Sequence, residues 1–241
     1  MEGRWRLTGI QFSNPKPFGV LPVVNTGVSS PYLHHDEAAV LDWLAQNMRK
    51  YFSGPHPKAL SEYANSPDLG LHSLNGALDK LKEKLKITQN PKPVLITLNE
   101  RSEDDYARIK QWGDRSVGVP TMCAVWDKLQ TVYNKKNPDM CANLALKANI
   151  KLGGTNHYLE GCFDELRDGS KKCDTMIVGA DTTHPGAHAA DFCPSIAAVV
   201  ASLDANFTNY PGSMRLQSGK REVRGVSLAA SVPSLTASAG H

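Results

Sequence analysis

The segment from Leu71 to Leu98 constrains the fold more than any other part of the chain. Leu71, Leu74, Leu78, Leu81 and Leu85 step by three and four, with Asp79, Lys80, Lys82, Glu83 and Lys84 off the stripe. That is the period of a helix with one face against a core. Pro93-Val94-Leu95-Ile96-Thr97-Leu98 is a short continuous apolar run, suited to a strand buried on both faces. Ser102-Glu103-Asp104-Asp105 then opens another helix: Ser102 is placed to cap it, and acidic charge collects at the positive end of its dipole. Helix, buried strand and helix in succession predict an α/β domain with a largely parallel sheet flanked by helices.

The flanking sequence extends that pattern. Asp36 to Phe52 carries Val40, Leu41, Leu44, Met48, Tyr51 and Phe52 on a helical stripe behind an acidic first turn. The helix after Ser102 is expected to run to about Trp112, with Gly113 at its exit. Val117 to Trp126 reads as a strand, and Gly118 and Pro120 make it an edge or bulged one. Asn137-Pro138 opens a helix that runs to Leu152 and that Gly153-Gly154 closes. Residues 1–25, rich in Gly and Pro, read as a linker with a strand or two rather than as core. A domain over 26–160 is followed by a second over 161–223. Its strand candidates are Thr175–Asp181, expected to be buried, Ser195–Leu203 and Ser213–Gln217. Residues 224–241 contain no acid and no lysine and are expected to be a flexible, non-native tail.

Composition narrows the function classes. The 241 residues are 41% hydrophobic and 21% charged, ordinary globular usage that excludes wholesale disorder. Twenty-seven Lys and Arg against 24 Asp and Glu leave a net charge of +3. That is too little for a histone-like binder, so any nucleic-acid contact must come from a local cluster. An aromatic share of 7% argues against a broad stacking platform for single strands. Five cysteines with no CxxC pair read as free thiols in a reducing compartment, and His34-His35 has no ligand partner at metal spacing. No apolar run approaches the ~18 residues of a membrane span, and the first residues lack the apolar core of a signal peptide. A cytoplasmic chain that makes no membrane contact is expected.

Tyr106 and Lys110 stand four apart on one predicted helix, and Asn143, Lys147 and Lys151 stand four apart on another. Residues so spaced leave from one helix face. Two short helices could bring three lysines and a tyrosine to one pocket, where mutual repulsion would be relieved by a phosphate dianion. The same spacing also fits solvated surface lysines.

Several stretches carry a family resemblance. Asp105-Tyr106-Ala107-Arg108-Ile109-Lys110, Gly118-Val119-Pro120-Thr121-Met122-Cys123 and Asn143-Leu144-Ala145-Leu146-Lys147-Ala148-Asn149-Ile150-Lys151-Leu152-Gly153-Gly154 resemble, in order and separation, the MID domain of eukaryotic Argonaute proteins. Gly179-Ala180-Asp181-Thr182-Thr183-His184-Pro185, followed by Pro194-Ser195-Ile196, resembles the opening of their PIWI domain. The resemblance covers about residues 3–223. It implies a Rossmann-like MID domain followed by the beginning of an RNase-H-like PIWI domain. It further implies a pocket for the 5′-phosphate of a small guide RNA. In that pocket Tyr106 stacks on the first base, Lys110, Lys147 and Lys151 hold the phosphate, and Met122 stands where the family has a glutamine. A thioether cannot donate the glutamine's hydrogen bond. Asn99, Glu100, Arg101 and Ser102, with Glu103, occupy the place of the loop that reads the first base, and they are charged where the family's loop commonly holds Pro-Gly.

Asp181 matches the first metal-binding aspartate of the family's slicer site. A two-metal nuclease needs several converging carboxylates, and the resemblance places the others beyond this chain. Three functions follow. The first is a non-catalytic module that binds the guide 5′ end without a cofactor and meets target RNA and silencing-complex proteins through its parent protein. The second is an RNase-H-like nuclease using Mg²⁺. The third is an α/β enzyme acting on a phosphorylated metabolite, which no GxGxxG or GxxxxGK[ST] loop supports.

Overall fold

The computed structural model describes residues 11–26, 34–52, 60–158, 166, 175–186 and 192–218. They fall into two compact units, Met1–His157 and Tyr158–His241. The tail over 224–241 lies outside the described residues.

The first unit is built on four parallel strands in the order β2-β1-β3-β4: β1 (Leu21–Asn25), β2 (Ser61–Asn65), β3 (Val94–Leu98) and β4 (Thr121–Val125). Helices α1 (His34–Arg49), α2 (Leu71–Leu85) and α3 (Glu103–Gln111) connect them in turn. After β4 come α4 (Trp126–Asn134) and α5 (Asp139–Lys151). The period of two along each strand decides which face a side chain serves. Leu21, Val23, Leu95, Met122 and Ala124 pack with the apolar faces of α1, α4 and α5. Val24, Val94, Ile96 and Leu98 pack with Leu74, Leu78 and Leu81 of α2 and Ile109 of α3. Strands covered on both faces by helices read as continuous apolar runs, which is why VLITL is buried throughout.

Several expectations are corrected. Leu21-Pro22-Val23-Val24-Asn25, expected within a linker with a strand or two rather than as core, is a strand but a core one, paired with both β2 and β3 and buried along its length. Strand β2 and helix α4 carry no signal that the sequence reading used. The stripe of α2 is buried at Leu74, Leu78 and Leu81, whereas Leu71, at the first turn, is 59% exposed. Gly113 does not end α3. The chain continues through a π-helical turn, Trp112–Val117, and closes at Gly118, whose φ of 63° is a conformation that favours glycine.

The second unit contains a three-stranded antiparallel sheet, β5 (Val178–Thr183), β6 (Ser195–Ala201) and β7 (Gly212–Gln217), in the order β5-β6-β7. Its first strand was expected to be buried but is exposed along most of its length. Among the described residues no helix is long and apolar enough to cross a membrane.

Candidate functional site

The site forms at the β4 edge of the parallel sheet, where α3 on one face and α5 on the other both contact β4. Helix α3 starts as its sequence demands. Ser102 is its extended N-cap, and the Ser102 hydroxyl oxygen accepts the Asp105 amide at 3.2 Å. Four and eight residues after Ser102, Tyr106 is half exposed and Lys110 half buried.

Lys110 is held at a fixed point. Its Nζ donates to the Thr121 carbonyl at 2.6 Å and to the Thr121 hydroxyl at 2.8 Å, and lies 5.3 Å from the centre of the Tyr106 ring. Strand β4 is an edge, and the Val94 amide donates to the Pro120 carbonyl at 3.0 Å. Parallel pairing then turns the next carbonyl, that of Thr121, out of the sheet, where Lys110 meets it. Gly113 makes room for this. A Cβ there would stand 2.7 Å from Thr121 Cγ2 and 2.8 Å from the Val119 carbonyl oxygen.

Burial lowers the Lys110 ammonium below the ordinary lysine range; the charges of Lys151 and Lys147 push it in the same direction, while Cys123 and Asp114 pull it back up. Burial raises the Cys123 thiol, while Lys110, Lys147 and Lys151 all pull it down. Lys110 and Cys123 therefore both sense the two lysines of α5. The three lysines named from the sequence lie near enough for their charges to interact, although α3 and α5 pack on opposite faces of the sheet. Lys147 and Lys151 remain exposed, and among the described residues neither they nor Lys110 pairs with a carboxylate within 4.0 Å.

Cys123 also lines an open cavity of about 540 Å³, together with Leu98, Arg101, Ser102, Glu103, Tyr106, Ala124 and Val125. Cys123 thus lines the cavity and also feels the charges of all three lysines. Of the loop named from the sequence, Arg101 and Ser102 face this cavity, while Asn99 and Glu100 do not line it.

Met122 is corrected. It is only 2% exposed and lies in the core with Leu95, Leu144 and Ala148, so its side chain is not offered to a ligand. Its neighbours Thr121 and Cys123, on the alternate positions of β4, carry the contacts instead. Strand periodicity sets both on the side of β4 opposite Met122, although it does not say which side chain meets them.

Asp181 sits on β5, exposed, its Oδ1 accepting the Thr182 amide at 2.8 Å. Among the described residues no three His, Cys, Asp or Glu side chains converge on a point where a metal could be held. A single carboxylate does not fit a two-metal centre, and no Mg²⁺ chemistry follows from these residues.

The sequence profile of the Piwi domain matches residues 93–233, more than half of the chain and a span that includes β3, α3, β4 and α5. The chain belongs to the Piwi-domain family. Its similarity to Argonautes extends to individual proteins. It is 36% identical over 131 residues to Protein argonaute 18 of Oryza sativa subsp. japonica, a match covering 54% of this chain and 12% of that relative. The C-terminal lobe of a budding yeast Argonaute superposes with a TM-score of 0.68 at 25% identity, over 90% of this chain and 43% of that one. Kluyveromyces polysporus Argonaute, solved with a guide RNA, gives a TM-score of 0.68 at 24% identity, over 91% of this chain and 25% of that one. The resemblance to eukaryotic Argonautes drawn from the sequence is borne out, as is a parallel α/β sheet flanked by helices. This Piwi-family chain spans a small part of the curated relative's length.

Proposed function

We propose that the chain binds the 5′-phosphorylated end of a small guide RNA, as part of an Argonaute acting in RNA-mediated silencing. One observation carries the reading: the charges of Lys147 and Lys151 act on the half-buried Lys110, which lies beside the exposed ring of Tyr106, and among the described residues none of the three pairs with a carboxylate within 4.0 Å. Like charges gathered in this way destabilise one another, and a terminal phosphate dianion relieves that repulsion. Each lysine–phosphate contact contributes about 1.5–3 kcal/mol, since both partners are charged. Stacking of the terminal base on Tyr106 adds about 1–3 kcal/mol with little sequence preference. The guide RNA held by the Kluyveromyces polysporus protein of the same fold supports an RNA ligand.

On this reading the chain is a binding module without a cofactor, working in the cytoplasm. Target RNA, silencing-complex proteins and any Mg²⁺-dependent cleavage belong to a longer protein, to which Asp181 contributes one carboxylate.

The test compares short RNAs that differ only at the 5′ end. A 5′-hydroxyl RNA binds at least about tenfold more weakly than its 5′-phosphorylated form, because one lost charge-assisted bond already reaches that factor. Lys147→Ala weakens the phosphorylated RNA and leaves the 5′-hydroxyl RNA nearly unchanged. Its log-affinity falls less steeply with log salt, by somewhat under one unit, as one phosphate contact is lost. Tyr106→Ala weakens both RNAs and preserves the salt slope. Equal binding of the two ends, or equal effects of Lys82→Ala and Lys147→Ala, would overturn the pocket.

A further inference from the structure

The parallel sheet of the first unit has two edges, and the one opposite β4 is β2. Strand β2 pairs with β1 through alternate residues. The Leu60 carbonyl accepts the Leu21 amide at 3.0 Å, and the Ser66 amide donates to the Asn25 carbonyl at 2.8 Å. In a parallel ladder the main-chain groups of Ser61, Tyr63 and Asn65 then turn outward. Two of these groups are covered by charged side chains. The Asp42 carboxylate of α1 accepts the Ser61 amide at 3.1 Å, and the Lys84 ammonium of α2 donates to the Tyr63 carbonyl at 2.6 Å. Among the described residues, the Tyr63 amide and both main-chain groups of Asn65 meet no hydrogen-bond partner.

Beside this edge lies an open cavity of about 680 Å³, lined by three ammonium groups, Lys80, Lys84 and Lys86, and one carboxylate, Glu83. Glu62 stands 4.0 Å from Lys84, and among the described residues Lys80 and Lys86 join no ion pair within 4.0 Å. An exposed pair at that separation contributes little, so the edge keeps an excess of positive charge.

We propose that the β2 edge docks an extended acidic segment of a partner protein, which adds to the sheet as a further strand and pairs its carboxylates with Lys80, Lys84 and Lys86. Main-chain bonds to Tyr63 and Asn65 supply affinity, as in other strand additions, and charge supplies the choice of partner. Alternate residues of an extended chain stand about 6.6 Å apart on one side. Lys80 and Lys84, four apart on α2, are separated by about 6 Å along the helix axis, and α2 runs back beside the sheet as the crossover from β2 to β3. Acidic residues at every second position therefore keep step with the lysines. The residues between them point to the α1 side, where the partly buried Tyr63 ring offers apolar surface and Asp42 repels a carboxylate.

Lys84 sets the specificity. A lysine laid along an edge bars an ordinary strand, because the newcomer must displace it from the Tyr63 carbonyl. An acidic strand repays the displacement with a carboxylate for the ammonium and a main-chain amide for the carbonyl. A neutral strand offers only the second. A polynucleotide satisfies the lysines, but its phosphates only accept, and they leave the outward carbonyls of Tyr63 and Asn65 unmatched.

The probe is a short synthetic peptide that alternates glutamate with valine, titrated against the full chain. Its controls are the same peptide N-methylated at its interior amides, and a peptide with lysine in place of glutamate. The acidic peptide is expected to bind at least about tenfold more tightly than its N-methylated form, since two lost main-chain bonds of ordinary strength reach that factor. The lysine peptide is expected to bind more weakly still. Lys80→Gln combined with Lys86→Gly is expected to weaken the acidic peptide several-fold. Lys86 stands at a φ of 54°, where glycine is at ease, so the double variant keeps its fold. Hydrogen exchange at the Tyr63 and Asn65 amides is expected to slow when the acidic peptide binds. Equal binding of the N-methylated peptide, or unchanged exchange at those two amides, would reduce the contact to unspecific charge attraction and overturn strand addition. Slowed exchange at the same amides with a 5′-hydroxyl RNA, and none with the peptide, would give the edge to nucleic acid instead. Equal affinity of the acidic and lysine peptides would remove the three lysines from the role.

Discussion

Lys110 is the residue on which the pocket's pH dependence turns. Burial, joined by the charges of Lys151 and Lys147, disfavours its charged form in the folded protein. Since its folded pKa lies below its unfolded value, the native state binds fewer protons between the two, and this residue's contribution to stability rises as pH climbs through that window. A bound phosphate dianion reverses the preference, because it stabilises the ammonium. Affinity for a 5′-phosphorylated RNA is then expected to rise through about pH 6, where the phosphate loses its second proton. It should decline at alkaline pH below the ordinary lysine range as Lys110 discharges. Lys110→Arg, whose guanidinium stays charged, should shift the alkaline limb upward, and an unmoved limb would assign it to another group. Thr121 is a second control point. Its hydroxyl takes one of the two protein hydrogen bonds of Lys110, so Thr121→Val should weaken phosphorylated RNA several-fold while leaving the fold intact. The lysines could be read from the sequence because helical spacing is local. Thr121 as an acceptor could not, because its partner lies on another element, and Met122 was misjudged because its place in a motif says nothing about which face of a strand it occupies.

At the scale of elements, α3 carries both Tyr106 and Lys110, and its geometry is set at its ends. The Ser102 hydroxyl satisfies the Asp105 amide at the start, and the π-helical turn over Trp112–Val117 lets the Val119 amide return to the Gly113 carbonyl at 2.8 Å. Ser102→Ala should cost about 1 kcal/mol of stability through the lost cap. RNA affinity should fall by more than that stability loss alone explains, since the fraying turn leads directly into Tyr106. Thermal unfolding together with RNA titration measures the two effects separately, and an unchanged affinity would show that the pocket does not depend on the cap. The cap was legible because Ser102 and the acids behind it are adjacent in sequence. Helix α2 was legible to the residue, since a leucine stripe of five is a local pattern. Strand β1 was not legible as core: five residues amid Gly and Pro become an interior strand only through pairing with Ser61–Asn65, 40 residues on (61 − 21), and of Val23–Asn25 with Leu95–Thr97, 72 residues on (95 − 23).

At the scale of the whole molecule, the two units differ in how their sheets are protected. The first is closed by side chains that reach across the sequence. Asn149, fully buried near the end of α5, accepts the Lys16 amide at 3.0 Å and donates to Asn156 Oδ1 at 3.0 Å, tying both ends of the unit to one helix. Gly154 packs so closely on Asn149 that a Cβ could not be accommodated. Asn149→Ala should therefore cost roughly 2 kcal/mol or more, since it strands buried amide partners. The sheet of the second unit is exposed by comparison: Met214 and Leu216 on β7 are 69% and 71% exposed, and β5 is exposed along most of its length. Few buried apolar contacts and solvent-facing backbone hydrogen bonds are the physical basis of low local stability. Hydrogen exchange should follow this division. Amides of Val94–Leu98, buried between two helical layers, should exchange only through global opening. Those of Gly212–Gln217 should exchange orders of magnitude faster, through local opening that leaves the first unit intact. RNA carrying a 5′-phosphate should further protect α3 and β4 and leave β7 unaffected, because the site lies within the first unit. Equal protection of β3 and β7 in the free chain would show that the second sheet is covered by residues its own strands do not supply.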